Sequence, residues 1–589
     1  MDSIFCLKKL IFCICILNVT ACKAQTLTME KLSDLKTGYE LDKNTTATYA
    51  ETIAYYEQLA GLEPSISVQA YGMTDSGFPL HEVILSKDGN FDPKEIKTQG
   101  KLVLFLNNAI HPGEPCGVDA SMMLARDLFL NKDMQSLLDK TVVVIVPFYN
   151  IGGGLNRGEF SRANQDGPQA YGFRGNAKNL DLNRDFIKCD SENAKTFNKL
   201  YTKWDPEIFI DNHTSNGADY QYSMTLIATQ KDKLQEDLAN YMIQQMLPDL
   251  YSKMEQKDWE MTPYVYAQET PDDGIMGFLD LPRYSSGYAA LHNSISFMPE
   301  THMLKPYTNR VESTYAFMLS MLEHIASNGD NIIKARKKSL EKVRAQKEMP
   351  IRWELDKEKV DKLMFKGYEA KYKKSEVTGL DRLYYDQSAP WEKEIDFYDS
   401  YKTIKKITKP KAYVFPQAYR EVAERLEWNG VKVERLESDM EANFEMYYIE
   451  KLETVSSAYE GHYLHYDLEL DVVNKQWRYN KGDYIVYTGQ DADRYIVECL
   501  EPQAADSYFA WNFFDGILAQ KEYFSSYVFE EIASELLAND ATLKKKFEEK
   551  KSTDRKFAEN ARAQLNFIYK RSPHYEQTHK LYPVARILD

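Results

Sequence analysis

Residues 102–128 read LVLFLNNAIHPGEPCGVDASMMLARDL. The apolar run Leu102–Leu106 ends in Asn107 and Asn108, a Pro/Gly turn carries His111 and Glu114, and a helical pattern starts near Val118. This is a strand, a loop and a helix, with two metal-ligand side chains three residues apart on the loop. An α/β sheet sets its chemistry just beyond the C-terminal ends of its strands. Imidazole and carboxylate suit a borderline metal such as zinc, whose catalytic sites have three protein ligands and one open position.

The sequence therefore has to supply a third ligand and a base from other strand ends. Thr141–Val146 (TVVVIV) is a β-branched run of the kind found in a strand buried on both faces. A long loop follows, from Gly152 to about Phe186, carrying Arg157, Arg162, Arg174 and the run Asn179–Phe186 with Asn183 and Arg184. Connections of that length with no regular pattern are functional more often than mere linkers. Arginine forks match carboxylates bidentately. Glu192–Tyr201 reads as a helix, and Glu207–Thr214 as an apolar strand that ends at His213. A helix is expected over Lys231–Met254. Ser294–Met298 reads as a strand ending just before Glu300, and Lys305–Ala326 as a helix. Four candidates thus converge on one sheet edge: His111, Glu114, His213 and Glu300.

Size and composition limit the alternatives. A chain of 589 residues exceeds one core, so several domains are expected. A net charge of −16 argues against nucleic acid or an anionic membrane surface as main partner. At the N-terminus, Lys8 and Lys9 precede an apolar run, Leu10–Val19, too short to span a bilayer and typical of a secretory signal. Val19-Thr20-Ala21-Cys22 has the form of a lipobox, which would place a lipid anchor on Cys22; cleavage near Ala24 or Gln25 is the alternative. Either way an exported protein of the periplasm or cell envelope is expected. Past the signal, Cys116, Cys189 and Cys499 are odd in number and far apart, so no disulfide framework is implied. Cys116 reads as a small buried filler.

The expected organisation is a signal over 1–22 and a catalytic α/β domain over 26–330. A charged helical linker over 331–350, a mainly β domain over 351–500 and a helical segment over 501–589 follow. His462 and His465 would face opposite sides of an alternating strand, which disfavours a second metal site.

Neither H-E-x-x-H nor a G-x-S-x-G nucleophile elbow is present. What remains is H-x-x-E at His111-Pro112-Gly113-Glu114, then Asn183-Arg184, His213 and Glu300, in that order. This set resembles the zinc carboxypeptidase family of the carboxypeptidase A type, over roughly residues 45–325; Glu300-Thr301-His302 with Lys305-Pro306-Tyr307 looks like a bacterial branch. The resemblance implies a mixed doubly wound α/β sheet and one zinc ion per chain held by His111, Glu114 and His213. It implies a peptide substrate, with Glu300 as general base and Arg174 as oxyanion donor, Arg162 competing for that role. Asn183 and Arg184 would clamp the substrate's C-terminal carboxylate. The family's capping tyrosine has no clear counterpart; Tyr288 is the nearest candidate, with Tyr284 beside it. A zinc amidase, deacylase or cell-wall peptide hydrolase on the same site is the alternative, and a non-catalytic surface binding protein the third reading.

Overall fold

The computed structural model describes residues 29–588; the signal and Cys22 lie outside the described residues. Helix α1 (Tyr49–Leu62) is opened by a capping box in which the Thr48 hydroxyl accepts from the Glu51 N–H and the Glu51 carboxylate accepts from the Thr48 N–H. Strands β1 (Ile66–Met73) and β2 (Pro79–Leu85) form an antiparallel edge. Strand β3 (Leu102–Asn107) leads through the His111 loop into helix α2 (Cys116–Leu130) and back to β4 (Thr141–Val146). Every residue of β3 and β4 is buried, because helices cover both faces of the sheet. Helix α3 (Glu192–Trp204) precedes β5 (Ile208–Asp211), β6 (His213–Ser215) and β7 (Met224–Ala228).

The strand order is β1-β2-β4-β3-β5-β11-β7-β8, where β8 is Met261–Pro263 and β11 is Ile295–His302; β6 pairs with β11 outside this path. Strand β3 is parallel to β4 on one side and to β5 on the other, and β5 is parallel to β11. The chain therefore reverses its winding at β3, and such a switch point opens a crevice at the C-terminal strand ends. His111 lies on the loop after β3 and His213 opens β6, two residues past β5, both at that edge.

Several elements differ from the sequence reading. Strand β11 does not stop at Met298 but runs on to His302, because β6 and β7 pair with its far end, Glu300 lying opposite His213. Over 231–254 the helix is interrupted: a π-turn at Met242–Met246 joins Glu236–Tyr241 to Leu247–Glu255. Pro248 sits just past that turn, where its missing N–H removes a helical hydrogen bond. The expected 331–350 linker is the second half of one continuous helix, α5 (Tyr307–Ala345), α4 being Ser285–Leu291. Ile332, Ala335, Arg336, Ser339 and Val343 form its buried stripe; the lysines that dominate the sequence occupy the outer face.

The domain boundary also shifts. The chain divides into one unit running to Lys409, joined by 421–433 and 488–506, and a second made of 410–420, 434–487 and the residues from Ser507 onward. The first unit therefore keeps β12 (Glu348–Leu355) and β15 (Tyr401–Thr408), which pair with each other, and a long hairpin of β13 (Asp361–Lys374) and β14 (Asp381–Tyr398). The boundary is not at 351 because β14 pairs with β10 (Ile275–Met276), itself paired with β9 (Tyr266–Ala267), and Phe365 and Ile395 share a core with Tyr220, Tyr222 and Ile275. In the second unit a six-stranded sheet takes β21 (Ala585–Ile587) between β16 (Ala412–Phe415) and β18 (Met440–Thr454). The 501–589 segment thus supplies a sheet strand as well as four α-helices, which hold Phe529, Phe547, Phe557 and Leu565 in their own apolar cluster.

Asp119 of α2 is wholly buried, accepting from the Ala47 N–H at 3.3 Å and from the Tyr307 hydroxyl. Burial pushes its carboxyl up to about 6, against the pull of those hydrogen bonds. A raised folded-state pKa favours folding below the unfolded value and loses that advantage as pH rises through the folded one, here across the interval from 3.8 to about 6. The loss amounts to about 3 kcal/mol. Asp119→Asn is therefore expected to raise the melting temperature near pH 8 and to leave it unchanged near pH 4, read by thermal denaturation across pH. A variant equally destabilised at both pH values would contradict this.

Candidate metal centre

His111, Glu114 and His213 come together at the β3/β5 crevice, one ligand atom of each within 4.8 Å of the others, and all three are buried. The Glu114 Oε1 lies 3.3 Å from His111 Nδ1 and its Oε2 3.3 Å from His213 Nδ1. The outer nitrogens are held by carboxylates: His111 Nε2 to Asp181 at 2.9 Å, His213 Nε2 to Asp211 at 2.8 Å. Asp211 in turn accepts from the Asn107 side chain at 2.9 Å. Each carboxylate fixes the proton on Nε2 and turns the Nδ1 lone pair inward, the arrangement that orients metal-binding histidines. His111 Nδ1 is buried with no hydrogen-bond partner, a cost a metal ion would remove. Two imidazoles and a carboxylate are a zinc donor set. Gly113 belongs to the same geometry: a Cβ there would lie 2.7 Å from the Arg162 side chain.

Glu300 lines the same cavity, of ≈ 230 Å³, together with Arg162, Arg174, Asn183 and Arg184. Among the described residues the His–Glu–His group is the one cluster with metal-ligand spacing.

Residues 52–304 match the zinc carboxypeptidase family. This chain carries a zinc carboxypeptidase domain. The family consists of zinc metallopeptidases that hydrolyse peptide bonds and remove C-terminal residues. Carboxypeptidase 2 of Trichophyton rubrum is 23% identical over 432 residues, covering 69% of this chain and 73% of its own length. Among solved structures, a metallo-carboxypeptidase from Burkholderia cenocepacia is similar over 48% of this chain and 70% of its own, at 15% identity and a TM-score of 0.37. Carboxypeptidase A from Helicoverpa armigera is similar over 50% and 75%, at 13% identity and a TM-score of 0.37.

Electrostatics in the carboxypeptidase domain sort the arginines. The Arg162 guanidinium donates to Glu114 at 2.7 Å and to the Thr214 carbonyl at 3.0 Å, so it is committed to the ligand shell. Arg174 donates to Asp181 at 2.8 Å, passes 3.5 Å from Glu114, and keeps 45% of its side chain exposed toward the cavity. Burial by itself would raise the Glu114 carboxyl, but His111 and Arg162 outweigh it and hold the group well below the usual carboxylate range. Asp181 behaves alike: burial is overcome by His111, Arg174 and Arg184. Glu300 goes the other way. Burial, reinforced by the Glu114 charge, lifts it to about 7 against the opposing pull of His213. For His213 burial disfavours charge, but Asp211 and Glu114 raise its pKa well above the ordinary value. A metal at its Nδ1 takes the place of that proton, so zinc binding is expected to weaken as pH falls.

Asn183 and Arg184 lie on a short turn capped by Asp181, whose side chain accepts from the Asn183 N–H. The Asn183 side-chain oxygen accepts from the Ser285 N–H at 3.1 Å. The Arg184 guanidinium stacks 4.5 Å from the Tyr284 ring.

Tyr288 is not at the site. It is wholly buried one helical turn into α4, its hydroxyl donating to Asn429 at 2.7 Å and its ring packed on Phe186 and His292. Tyr284, at the N-cap of α4, lines the cavity instead, with Tyr264, Phe278 and Met298. Sequence reasoning missed Tyr264 and Phe278 because they lie just past β8 and β10, strands only three and two residues long. Cys116 is buried against Thr214 and Thr301, a structural filler.

Because Asp211 sets the His213 tautomer, Asp211→Asn is expected to weaken zinc roughly 10- to 100-fold. Competition with a chromogenic chelator measures this, and unchanged affinity would contradict the tautomer argument.

Proposed function

We propose that the protein is an exported zinc carboxypeptidase in which Glu300 is the general base. The observation that carries this is the small cavity shared by the three ligands, Glu300 and the guanidinium groups of Arg174 and Arg184. The basic, apolar and small-residue order of the first 25 residues supports export, and the Cys22 lipobox supports a lipid anchor.

His111, Glu114 and His213 would hold the zinc ion, which supplies Lewis-acid polarisation of a carbonyl and acidifies a water. Glu300 takes the proton of the attacking water and returns it to the leaving amine; a carboxyl lifted toward neutrality suits both transfers. Arg174 donates to the oxygen of the scissile carbonyl as charge develops there. Arg184 and Asn183 grip the terminal carboxylate, with Tyr284 holding the guanidinium plane by stacking.

This reading requires a free substrate C-terminus. Wild-type protein is expected to cleave a peptide with a free C-terminus and to fail on its amidated form. Arg184→Leu is expected to lose roughly 10- to 100-fold in kcat/KM on the free form. Comparable cleavage of both forms by the wild type would refute the carboxylate clamp.

A further inference from the structure

Four helices near the end of the second unit, Ser526–Asn539, Ala541–Thr553, Arg555–Ala558 and Ala561–Tyr569, are joined by one or two residues each. Asp540 and Asp554 each end one helix and cap the next, accepting from the Leu543 and Phe557 N–H groups; Asn560 caps the last, accepting from the Ala563 N–H. The inner faces share an apolar cluster, but the outer faces are basic. Between 541 and 571 stand ten Lys and Arg against four Asp and Glu, in a chain whose net charge is −16. The charge that disfavours an anionic surface over the whole chain is therefore unevenly spread. Exposed charges more than about 8 Å from such a surface are largely screened, so the local excess decides.

The cations converge. The rings of Phe547, Phe557 and Phe567 meet pairwise, with centroids 5.6–6.1 Å apart. Lys551 lies over the first ring, Lys550 over the second and Arg571 over the third, at 5.6, 5.3 and 3.7 Å. The ion pairs within 541–571 are Lys545–Glu549, Lys550–Asp554 and Arg555–Glu559, all exposed; Lys551 and Arg571 belong to none of them. Such exposed pairs neutralise little. Like charges gathered at one spot repel one another, a cost that an apposed anionic surface removes.

Exposed apolar side chains stand beside this charge. Tyr527 is 85% exposed, Tyr523 68% and Val528 51%. They flank Phe524 and Ser526, to which Arg562 is bound. Its guanidinium donates to the Phe524 carbonyl at 3.0 Å and to the Ser526 hydroxyl at 2.9 Å, and stacks 3.9 Å from the Phe524 ring. Phe524 packs on Tyr569 with centroids 4.9 Å apart, and Tyr569 directly precedes Lys570 and Arg571. One short helix thus links the tyrosine patch at its start to the ring triangle past its end. Cations beside exposed tyrosine and valine suit the headgroup region of a bilayer, where basic side chains meet lipid phosphates and tyrosine rings lie at the interface. A polyanion with no apolar layer would leave Val528 in water.

We propose that the helical module 526–571 docks the protein on a bilayer surface rich in anionic phospholipid, Lys550, Lys551 and Arg571 meeting headgroup phosphates while Tyr527 and Val528 enter the interface. The inference does not depend on the catalytic reading.

Cosedimentation with vesicles tests it, using the chain from residue 26 onward so that no lipid on Cys22 contributes. Binding to an equal mixture of phosphatidylcholine and phosphatidylglycerol is expected to exceed binding to phosphatidylcholine alone by at least about tenfold, and to weaken as salt rises. The triple variant Lys550→Gln, Lys551→Gln, Arg571→Gln is expected to lose roughly 100-fold in partitioning, and Tyr527→Ser with Val528→Ser roughly tenfold, both with melting temperatures close to wild type. Glutamine in place of Lys334, Lys337 and Lys338, exposed lysines of α5, is expected to leave binding unchanged. Equal binding to both vesicles, or a loss in the α5 variant and not in the module variants, overturns the proposal. Absence of vesicle binding also overturns it: self-association in the ultracentrifuge would then assign the surface to a second copy, and capture of a single-stranded oligonucleotide would assign it to nucleic acid, each only if lost in the triple variant.

Discussion

Glu300→Gln is expected to keep zinc at one ion per chain and to lose turnover by about 10²- to 10⁴-fold, the range that a positioned acid–base group contributes. The side chain would stay in place. Its backbone is fixed on both sides, paired with His213 of β6 and with Thr225 of β7. Glutamine has the same length, so the metal ligands are undisturbed, but the amide can neither take the water's proton nor return it. The acid limb of the wild-type kcat/KM profile should reflect Glu300, because the base must be ionised and burial with the Glu114 charge resists ionisation. That limb should vanish from the residual rate of the variant. Full activity in Glu300→Gln, with zinc retained, would remove the proposed mechanism.

Arg174→Ala is expected to lower kcat by roughly 10²- to 10³-fold, the cost of deleting one oxyanion donor. Arg162 cannot substitute, since its guanidinium is bound to Glu114 and to the Thr214 carbonyl. The two arginines should therefore give different signatures. Arg162→Ala should act first on zinc affinity, through the Glu114 carboxylate it neutralises. Arg174→Ala should act on turnover at saturating zinc, with partial recovery in Arg174→Lys. Identical zinc and kinetic profiles for the two variants would contradict the division of roles. Arg174 also supports Asp181, so zinc occupancy must be measured alongside the rate.

The His–Glu–His cluster was legible because His111 and His213 follow apolar runs that turn polar, and a parallel sheet gathers such ends at one edge. His111 and His213 obey that rule directly. Glu300 reached the same edge by a different local structure: its strand continues past it, carried by pairing with β6 that no periodicity in 294–302 reveals. Tyr288 went wrong by one helical turn, since the sequence does not say where α4 begins and hence which tyrosine precedes its first turn. The β13–β14 hairpin was invisible for a physical reason. Most of its residues are at least partly solvated, so β13 alternates clearly only near Phe365, and lysine, glutamate and tyrosine are interspersed through the rest. In the second half of α5 the many lysines hid a buried stripe that includes Arg336 and Ser339 beside Ile332, Ala335 and Val343, and with it the continuity of the helix.

The most direct test of the central claim is mass spectrometry of a mixed peptide library incubated with the zinc-loaded protein, each peptide present with a free and with an amidated C-terminus. Ladders of residues trimmed from the C-terminus are expected in the free set and none in the amidated set, with all trimming abolished by a chelator and restored by zinc. Internal cleavage, equal trimming of both sets, or no cleavage with zinc stoichiometrically bound would contradict it.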